Sequence, residues 1–351
     1  MFTELTEQLR AGKDLADDQV ATAVAGLADG TLPPEPKADF LTALAQKGES
    51  TAEIAAFARE SLARSVQPVL HPDVRSSEIL DVCGTGGDRL NTFNISTTVA
   101  LIVASADVFV AKHGNRAITS QAGSADVLEA LGIPIELTPE QAAASLHEHH
   151  FAFFFAPRYH PSFKNIAPAR KLCAERGQRT IFNFLGPLLN PARPTAQLIG
   201  VPRPALCESM ARVLQSLGIR RAIVACGTVP TSDGIAHLDE LSTLGENHIA
   251  EYYQDRGFAT STLDPTHFPL QRATLADLTG AGRDVNADIV RQILKGTDRG
   301  PRRDAVLLNA AAALFVAGKS RSLADGWELA ESLIDSGNAA AKLSALTGGK
   351  S

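Results

Sequence analysis

The chain has little of what staples, anchors or targets a protein. Its four cysteines (Cys83, Cys173, Cys207, Cys226) are scattered through 351 residues, with no C-x-x-C pair and no histidine cluster at ligand spacing. Neither a disulfide framework nor a zinc site is indicated, and a reducing, cytoplasmic setting is expected. Long apolar runs are missing too: the longest, 99–111, is broken by Ser105 and Asp107, too short and too polar to span a bilayer. Residues 1–10 mix Glu4, Glu7 and Arg10 into their apolar positions, unlike a secretory signal, so a soluble protein is expected. Nor is there a basic surplus. Lys and Arg number 33 against 39 acidic residues, for a net charge of -6, and no Lys/Arg block stands out. That argues against a nucleic-acid binder driven by counterion release. Any bound phosphate has to be held by a few well-placed groups.

What the chain does have is apolar mass. At 44% hydrophobic it can bury a large core, in one big domain or in one with a smaller companion. The first part reads helical over 19–27, 38–45 and 51–66, with apolar residues at three and four spacing between the breaks at 30–34 and Gly48. After His71-Pro72 the texture changes to short apolar runs alternating with helical stretches, as in an α/β domain with a largely parallel sheet. Strands are expected over 79–83, 108–112, 151–155, 196–201 and 222–226, and helices over 96–105, 124–131, 205–217 and 304–316. Gly132 and Gly218 stand where glycines end helices. The boundary falls near residue 72, giving a helical unit 1–72, possibly joined by helices near 170–190, and an α/β unit 73–351.

Gly84-Thr85-Gly86-Gly87-Asp88 follows the first strand at once, and Asn94-Ile95-Ser96-Thr97 opens the next helix. Glycines let backbone N–H groups approach an anion, and a helix start adds partial positive charge, so this is a phosphate-cradle pattern. It matches neither nucleotide fingerprint: Arg89 stands where the dinucleotide motif needs Gly, and no Lys-Ser/Thr pair follows. Read alone, the loop is equally an ordinary glycine turn with Asn94 or Ser96 as helix cap. The next strand ends in Lys112-His113-Gly114-Asn115-Arg116, at the same C-terminal sheet edge, where open α/β sheets bind ligands. Lys, Asn and Arg in one loop supply donors for phosphate and hydroxyl oxygens. Ser124 opens a further helix. Asp239-Glu240, in a stretch 227–245 that reads as loop, read on their own as a solvated surface, although adjacent carboxylates also suit Mg²⁺. Past the strand 151–155 come Pro157, Tyr159 and His160, then Arg170, which would recognise a carboxylate bidentately beside an aromatic wall or simply decorate a helix.

Together these residues closely resemble the anthranilate phosphoribosyltransferase family, which shares its fold with class II nucleoside phosphorylases. The likeness is carried by DVCGTGGDRLNTFNIST at 81–97, KHGNRAITS at 112–120, GSADVLEALG at 123–132, FAPRYHPSFKNIAPAR at 155–170 and RTIFNFLGPLLNP at 179–191, with weaker likeness near Lys47 and after Leu307. It spans nearly the whole chain. The resemblance implies a small N-terminal helical domain, a large α/β domain with a mostly parallel central sheet flanked by helices, a closing hinge and a homodimer. It implies phosphoribosyl pyrophosphate at Gly84, Gly87, Asp88, Thr92, Asn94, Ser96, Thr97, Lys112, Ser120 and Ser124, and Mg²⁺ at Ser96, Asp239 and Glu240. Anthranilate would meet Gly84, His113, Asn115, Pro157, His160 and Arg170, with Arg170 facing its carboxylate. Lys112, Asp88 and His113 are the expected catalytic residues, His113 serving equally as a neutral hydrogen-bonding or wall group. No general base and no covalent enzyme intermediate are needed, because the aromatic amine brings its own lone pair.

Three features depart from the family pattern. The stretch KLCAERGQ after Arg170 and the stretch GTVPTSDGIAHL before Asp239 are longer than usual, and Thr119 and Gln121 replace a serine and a basic residue. They bear on the acceptor channel, so a different aromatic amine acceptor is the first alternative. A nucleoside phosphorylase would carry another lysine-serine loop in place of KHGNRA. Nucleic-acid-binding relatives are basic and lack both loops. Whether a glutamine amidotransferase subunit associates is left open.

Overall fold

A computed structural model describes residues 2–117 and 121–349. Its centre is an eight-stranded sheet built from β1 (Ile79–Gly84), β2 (Phe109–Gly114), β3 (Phe151–Phe155), β4 (Ala196–Gly200), β5 (Arg221–Thr231), β6 (Gly234–Leu238), β7 (Asn247–Tyr253) and β8 (Gly257–Leu263). The order is β3-β2-β1-β4-β5-β7-β8, with β6 paired to the far end of β5. The first five run parallel, and β5–β7, β7–β8 and β5–β6 are antiparallel. β1 to β5 are buried almost throughout because helices cover both faces, which is why they read as short continuous apolar runs.

Side chains alternate across the sheet, and the two faces have different covers. Leu80, Val82, Val110, Phe153, Leu198 and Ile223 point into one core shared with the helices Ile95–Ala104, Ser124–Leu131, Arg283–Leu294, Pro301–Val316 and Leu323–Asp335. Both Ile95–Ala104 and Pro301–Val316 are apolar nearly all round, as helices packed between a sheet and a further helical layer must be. On the other face, Ile199, Val201, Ala222 and Val224 join a core with the helices Phe2–Arg10, Asp17–Ala28, Pro34–Lys47 and Thr51–Ala63, and with Ala167–Glu175 and Ala205–Ser216. Beside it, Ile79, Ala111 and Phe154 bury against Leu70, Val74 and Leu146.

The expected strands and helices of the α/β part fall within a few residues of those observed. The stretch 227–245 does not read correctly as loop. β5 runs on to Thr231, turns at Gly234 (φ 122°) and returns as β6, so Asp239-Glu240 follow directly on a strand. The helices Phe2–Arg10 and the antiparallel strands β7 and β8 were not anticipated, and the helix expected over 51–66 ends at Ala63. Among the described residues no helix is long and apolar enough to cross a membrane.

Candidate active site

Parallel strands whose ends lie level put their following loops side by side. Gly84 of β1 pairs with Gly200 of β4, and Gly114 of β2 with Phe155 of β3. The segment Asp239-Glu240 crosses this edge, and three strand-end glycines make room for it. A Cβ at Gly84 or Gly200 would run into Asp239, and one at Gly227 would meet the Glu240 carbonyl at 2.7 Å. Gly86 and Gly87 adopt φ of 76° and 91°, a left-handed backbone that favours glycine. The Gly86 N–H donates to Asp239 Oδ2 at 2.5 Å, so the glycine loop and the acidic pair are joined directly.

Alternation along β2 sends Lys112 and His113 to opposite faces. Lys112 is buried; its Nζ donates to Val82 O at 2.6 Å and lies 3.3 Å from Ser96 Oγ at the start of the helix Ile95–Ala104. Ser96 in turn hydrogen-bonds Glu240. Burial pushes the Glu240 carboxyl up to about 7 against the opposing pull of Lys112. Asp239 is held well above the ordinary carboxyl range by burial and by the neighbouring Asp88 and Glu240, and it shares a hydrogen bond with Asp88. Three carboxyls crowded beside one serine hydroxyl form an all-oxygen donor set with excess negative charge. That set suits a divalent cation of the Mg²⁺ type. Ser96, Asp88, Asp239, Glu240 and Lys112 are thus brought together.

The remaining residues expected at the donor end take varied roles. Asn94 bridges loops: its Nδ2 donates to Ala122 O at 3.2 Å and its Oδ1 accepts from Asn286 at 2.9 Å. Thr97 is buried and Thr85 half-buried, and the hydroxyl of each is buried with no hydrogen-bond partner among the described residues. Thr92 forms a bridge to Thr279, and Ser124 Oγ donates to Asn115 O at 3.4 Å. Ser120 and Thr119 lie outside the described residues. Arg116, read as a phosphate donor, is committed elsewhere. It grips both oxygens of Glu129 at 3.0 Å and Asp126 at 3.0 Å, while Asp126 ties the Ala117 and Gly123 N–H groups together.

On the opposite face His113 begins a row of rings. It meets His160 edge-on at 5.4 Å, His160 stacks on Phe163 at 5.0 Å, and Phe163 meets Phe182 at 5.4 Å. Arg170 lies 5.5 Å over the Phe182 ring and has no carboxylate partner among the described residues. A half-buried guanidinium without an anion is unusual unless a ligand supplies one. His160 is fixed by Leu189 O at 2.8 Å. Burial, reinforced by His160, drives the His113 imidazole down to about 3, so it is neutral near pH 7, and its Nε2 is buried without a partner. Pro157 follows β3 on the exposed rim, next to the edge that carries Asn115.

Two buried groups behind these loops were missed from sequence. Asp81 on β1 accepts from Asn190 Nδ2 at 2.8 Å and from the His113 N–H at 3.4 Å, with burial pushing it up to about 6 against the pull of Lys112. Asn190 also donates to Ala111 O at 2.6 Å. Phe163 and Phe182 were missed as well; the only available signal was aromatic residues within stretches already noted for Arg170.

Comparison with known proteins sets the class first. Residues 76–340 match the family described as "Glycosyl transferase family, a/b domain", and residues 3–65 match "Glycosyl transferase family, helical bundle domain". The chain is 46% identical to the anthranilate phosphoribosyltransferase of Symbiobacterium thermophilum over 95% of this chain and 94% of that one. It is 48% identical to the enzyme of that name from Moorella thermoacetica, over 96% and 94%. The crystal structure of anthranilate phosphoribosyltransferase from Thermus thermophilus superposes with a TM-score of 0.87 at 39% identity, covering 98% of each chain. The Saccharomyces cerevisiae enzyme in complex with PRPP and Mg gives 0.85 at 26% identity, covering 99% of this chain and 97% of that one. The chain belongs to the anthranilate phosphoribosyltransferase family.

Proposed function

We propose that this chain transfers the 5-phosphoribosyl group of phosphoribosyl pyrophosphate to the amine of anthranilate, releasing pyrophosphate, as a step of tryptophan biosynthesis. One observation carries the reading. A carboxylate-lined face that also holds Lys112 (Lys112, Ser96, Asp88, Asp239, Glu240) and an aromatic face ending in Arg170, which has no ion pair among the described residues, meet at one sheet edge. Gly84, Gly87, Thr92, Asn94, Thr97 and Ser124, with Ser120 outside the described residues, complete the donor site in this proposal. His113, Asn115, Pro157, His160 and Arg170 form the acceptor site. The helices of 1–72, with those near 170–190, make one domain and 73–351 the other, so the acceptor site lies where the two adjoin.

Ser96, Asp239 and Glu240 would hold Mg²⁺, which supplies positive charge for the diphosphate. Lys112 adds a fixed, desolvated positive charge where negative charge grows on the leaving pyrophosphate. The Gly86-Gly87 backbone keeps side chains out of the way of that group. Arg170 holds the acceptor carboxylate, and the rings of His160, Phe163 and Phe182 line its approach. The amine attacks C1 with its own lone pair as the C1–O bond breaks. Neutral His113 therefore orients the acceptor instead of removing a proton, and in-line positioning supplies much of the rate. The test is the loss of anthranilate fluorescence with purified protein. Consumption that requires both phosphoribosyl pyrophosphate and Mg²⁺ is expected. An untouched anthranilate signal, with another aminobenzoate consumed instead, would leave the donor site standing and remove the acceptor assignment.

A further inference from the structure

The last N-terminal helix ends at Ala63, and the chain then enters the short helix Pro72–Ser76, with His71 as its N-cap. Across the seam, the helix Pro139–His149 carries His147 in its last turn. These residues are far apart in sequence, so no ligand spacing announces them. In the fold the His71 and His147 rings stack, 4.0 Å between centroids and 25° between planes. Asp73 Oδ2 lies 3.4 Å from His71 Nδ1, and one donor atom from each of the three residues lies within 4.8 Å of the others.

Structural duty accounts for only part of this arrangement. His71 Nδ1 accepts a long, 3.3 Å hydrogen bond from the Asp73 N–H. The His147 ring has the stack but neither a hydrogen bond nor an ion pair among the described residues. Both ligand-bearing segments are anchored from beneath: Val74, next to Asp73, and Leu146, next to His147, are buried in the same apolar cluster. The donors are thus exposed side chains on packed backbone.

We propose that His71, Asp73 and His147 form a surface site for Zn²⁺ or a neighbouring divalent metal such as Co²⁺ or Ni²⁺, separate from the oxygen-lined pocket at Asp239 and Glu240. Two imidazoles and one carboxylate are the ligand types such ions prefer, whereas Mg²⁺ favours oxygen donors. Ligands at about 2.0–2.2 Å from one ion must lie within roughly 4.4 Å of one another, and each imidazole must hold the ion in its own plane, so the two exposed rings turn out of their stack to bind it. Three protein ligands leave a fourth tetrahedral position for water. The ion would clip the segment entering the α/β part to the helix beneath β3, and so stabilise the folded chain by linkage.

The experiment is a calorimetric titration of the metal-free, full-length protein with Zn²⁺ in excess Mg²⁺, with thermal unfolding followed in parallel. One Zn²⁺ per chain and a raised unfolding midpoint are expected. His147→Ala and His71→Ala should each weaken binding by at least about tenfold and abolish the midpoint shift. His149→Ala should leave both unchanged. Titration with Co²⁺ should add visible d–d absorption that the His147→Ala protein lacks. Zn²⁺ binding of undiminished affinity in His147→Ala would overturn the proposal, as would loss in His149→Ala instead, or no binding by the wild-type chain.

Discussion

Asp81 and Asn190, 109 residues apart in sequence, form a buried 2.8 Å hydrogen bond behind the loop that carries Lys112 and His113. Asp81 is fully buried, and its other oxygen accepts from the His113 N–H. The pair therefore sets the height of that loop at the sheet edge and places a carboxyl behind the buried Lys112 ammonium. Asp81→Asn turns an amide against the Asn190 amide, leaving one donor unsatisfied at a cost of about 1–3 kcal/mol. We expect a lower denaturation midpoint and a kcat reduced by about tenfold or more. Asn190→Asp, alone or together with Asp81→Asn, removes the donor to Ala111 O and sets a carboxylate oxygen against that carbonyl, so the exchanged pair should not recover the stability. An unchanged kcat in Asp81→Asn would show that the charge behind Lys112 is irrelevant.

The Lys112 ammonium is held between a strand carbonyl and Ser96. Lys112→Met keeps the buried stem and removes the charge. Loss of a preorganised charge on the leaving group should lower kcat by about 100-fold or more, with the acceptor KM little changed. Stopped turnover assays with anthranilate fluorescence would show it; a near-normal kcat would remove Lys112 from the reaction.

Much of this site was legible because short apolar runs give strand ends, and strand ends in a parallel sheet share one edge. That places the loops after 83 and 112 side by side from the sequence alone. What stayed hidden depends on contacts distant in sequence. Asp81 sits inside an apolar run, where a carboxyl gives no hint that its partner is Asn190. β7, with Asn247, His248 and Glu251 among its residues, has neither a clean alternation nor a continuous apolar run. Its pairing with β5 decides its form. The hairpin of β5 and β6 was masked by Pro230 and by the turn residues Ser232, Asp233 and Gly234, which read as loop.

Gly200 was not singled out, yet its missing side chain is what lets Asp239-Glu240 cross the strand ends. Gly200→Ala forces that segment away and should cost about 1–3 kcal/mol as overpacking. It should also weaken the Mg²⁺ requirement curve, read as a higher Mg²⁺ concentration for half-maximal rate. Gly282→Ala, where an added Cβ meets nothing within 4 Å, is the control and should behave as wild type.

Arg170 lies over the Phe182 ring and has no anionic partner among the described residues. If it receives the acceptor carboxylate, Arg170→Ala removes a charge-assisted pair of about 1.5–3 kcal/mol. The acceptor KM should then rise by about 10- to 150-fold while the KM for the sugar diphosphate stays nearly constant. Arg170→Lys keeps the charge but loses the fork and should fall between. Equal effects on both KM values would place Arg170 in domain packing rather than in acceptor recognition.

The last prediction concerns acid. His113 is depressed from 6.5 to about 3 by burial beside His160, so between those values the folded chain holds fewer protons at this position than the unfolded one. Stability therefore rises with pH through that window: the contribution of neutral His113 is fully present above about 6.5 and is lost as pH falls towards 3. His160, also lowered by burial, adds a slope of the same sign. Urea unfolding of wild type across this range should show a steep loss of stability, and His113→Asn, which cannot charge, should flatten it. At neutral pH the same variant should raise the acceptor KM without moving the pH dependence of kcat, because an imidazole already neutral has no proton to lose there. A new or shifted kinetic pKa near neutrality in wild type that vanishes in His113→Asn would mean that His113 titrates during turnover, and its role as a neutral orienting group would have to be given up.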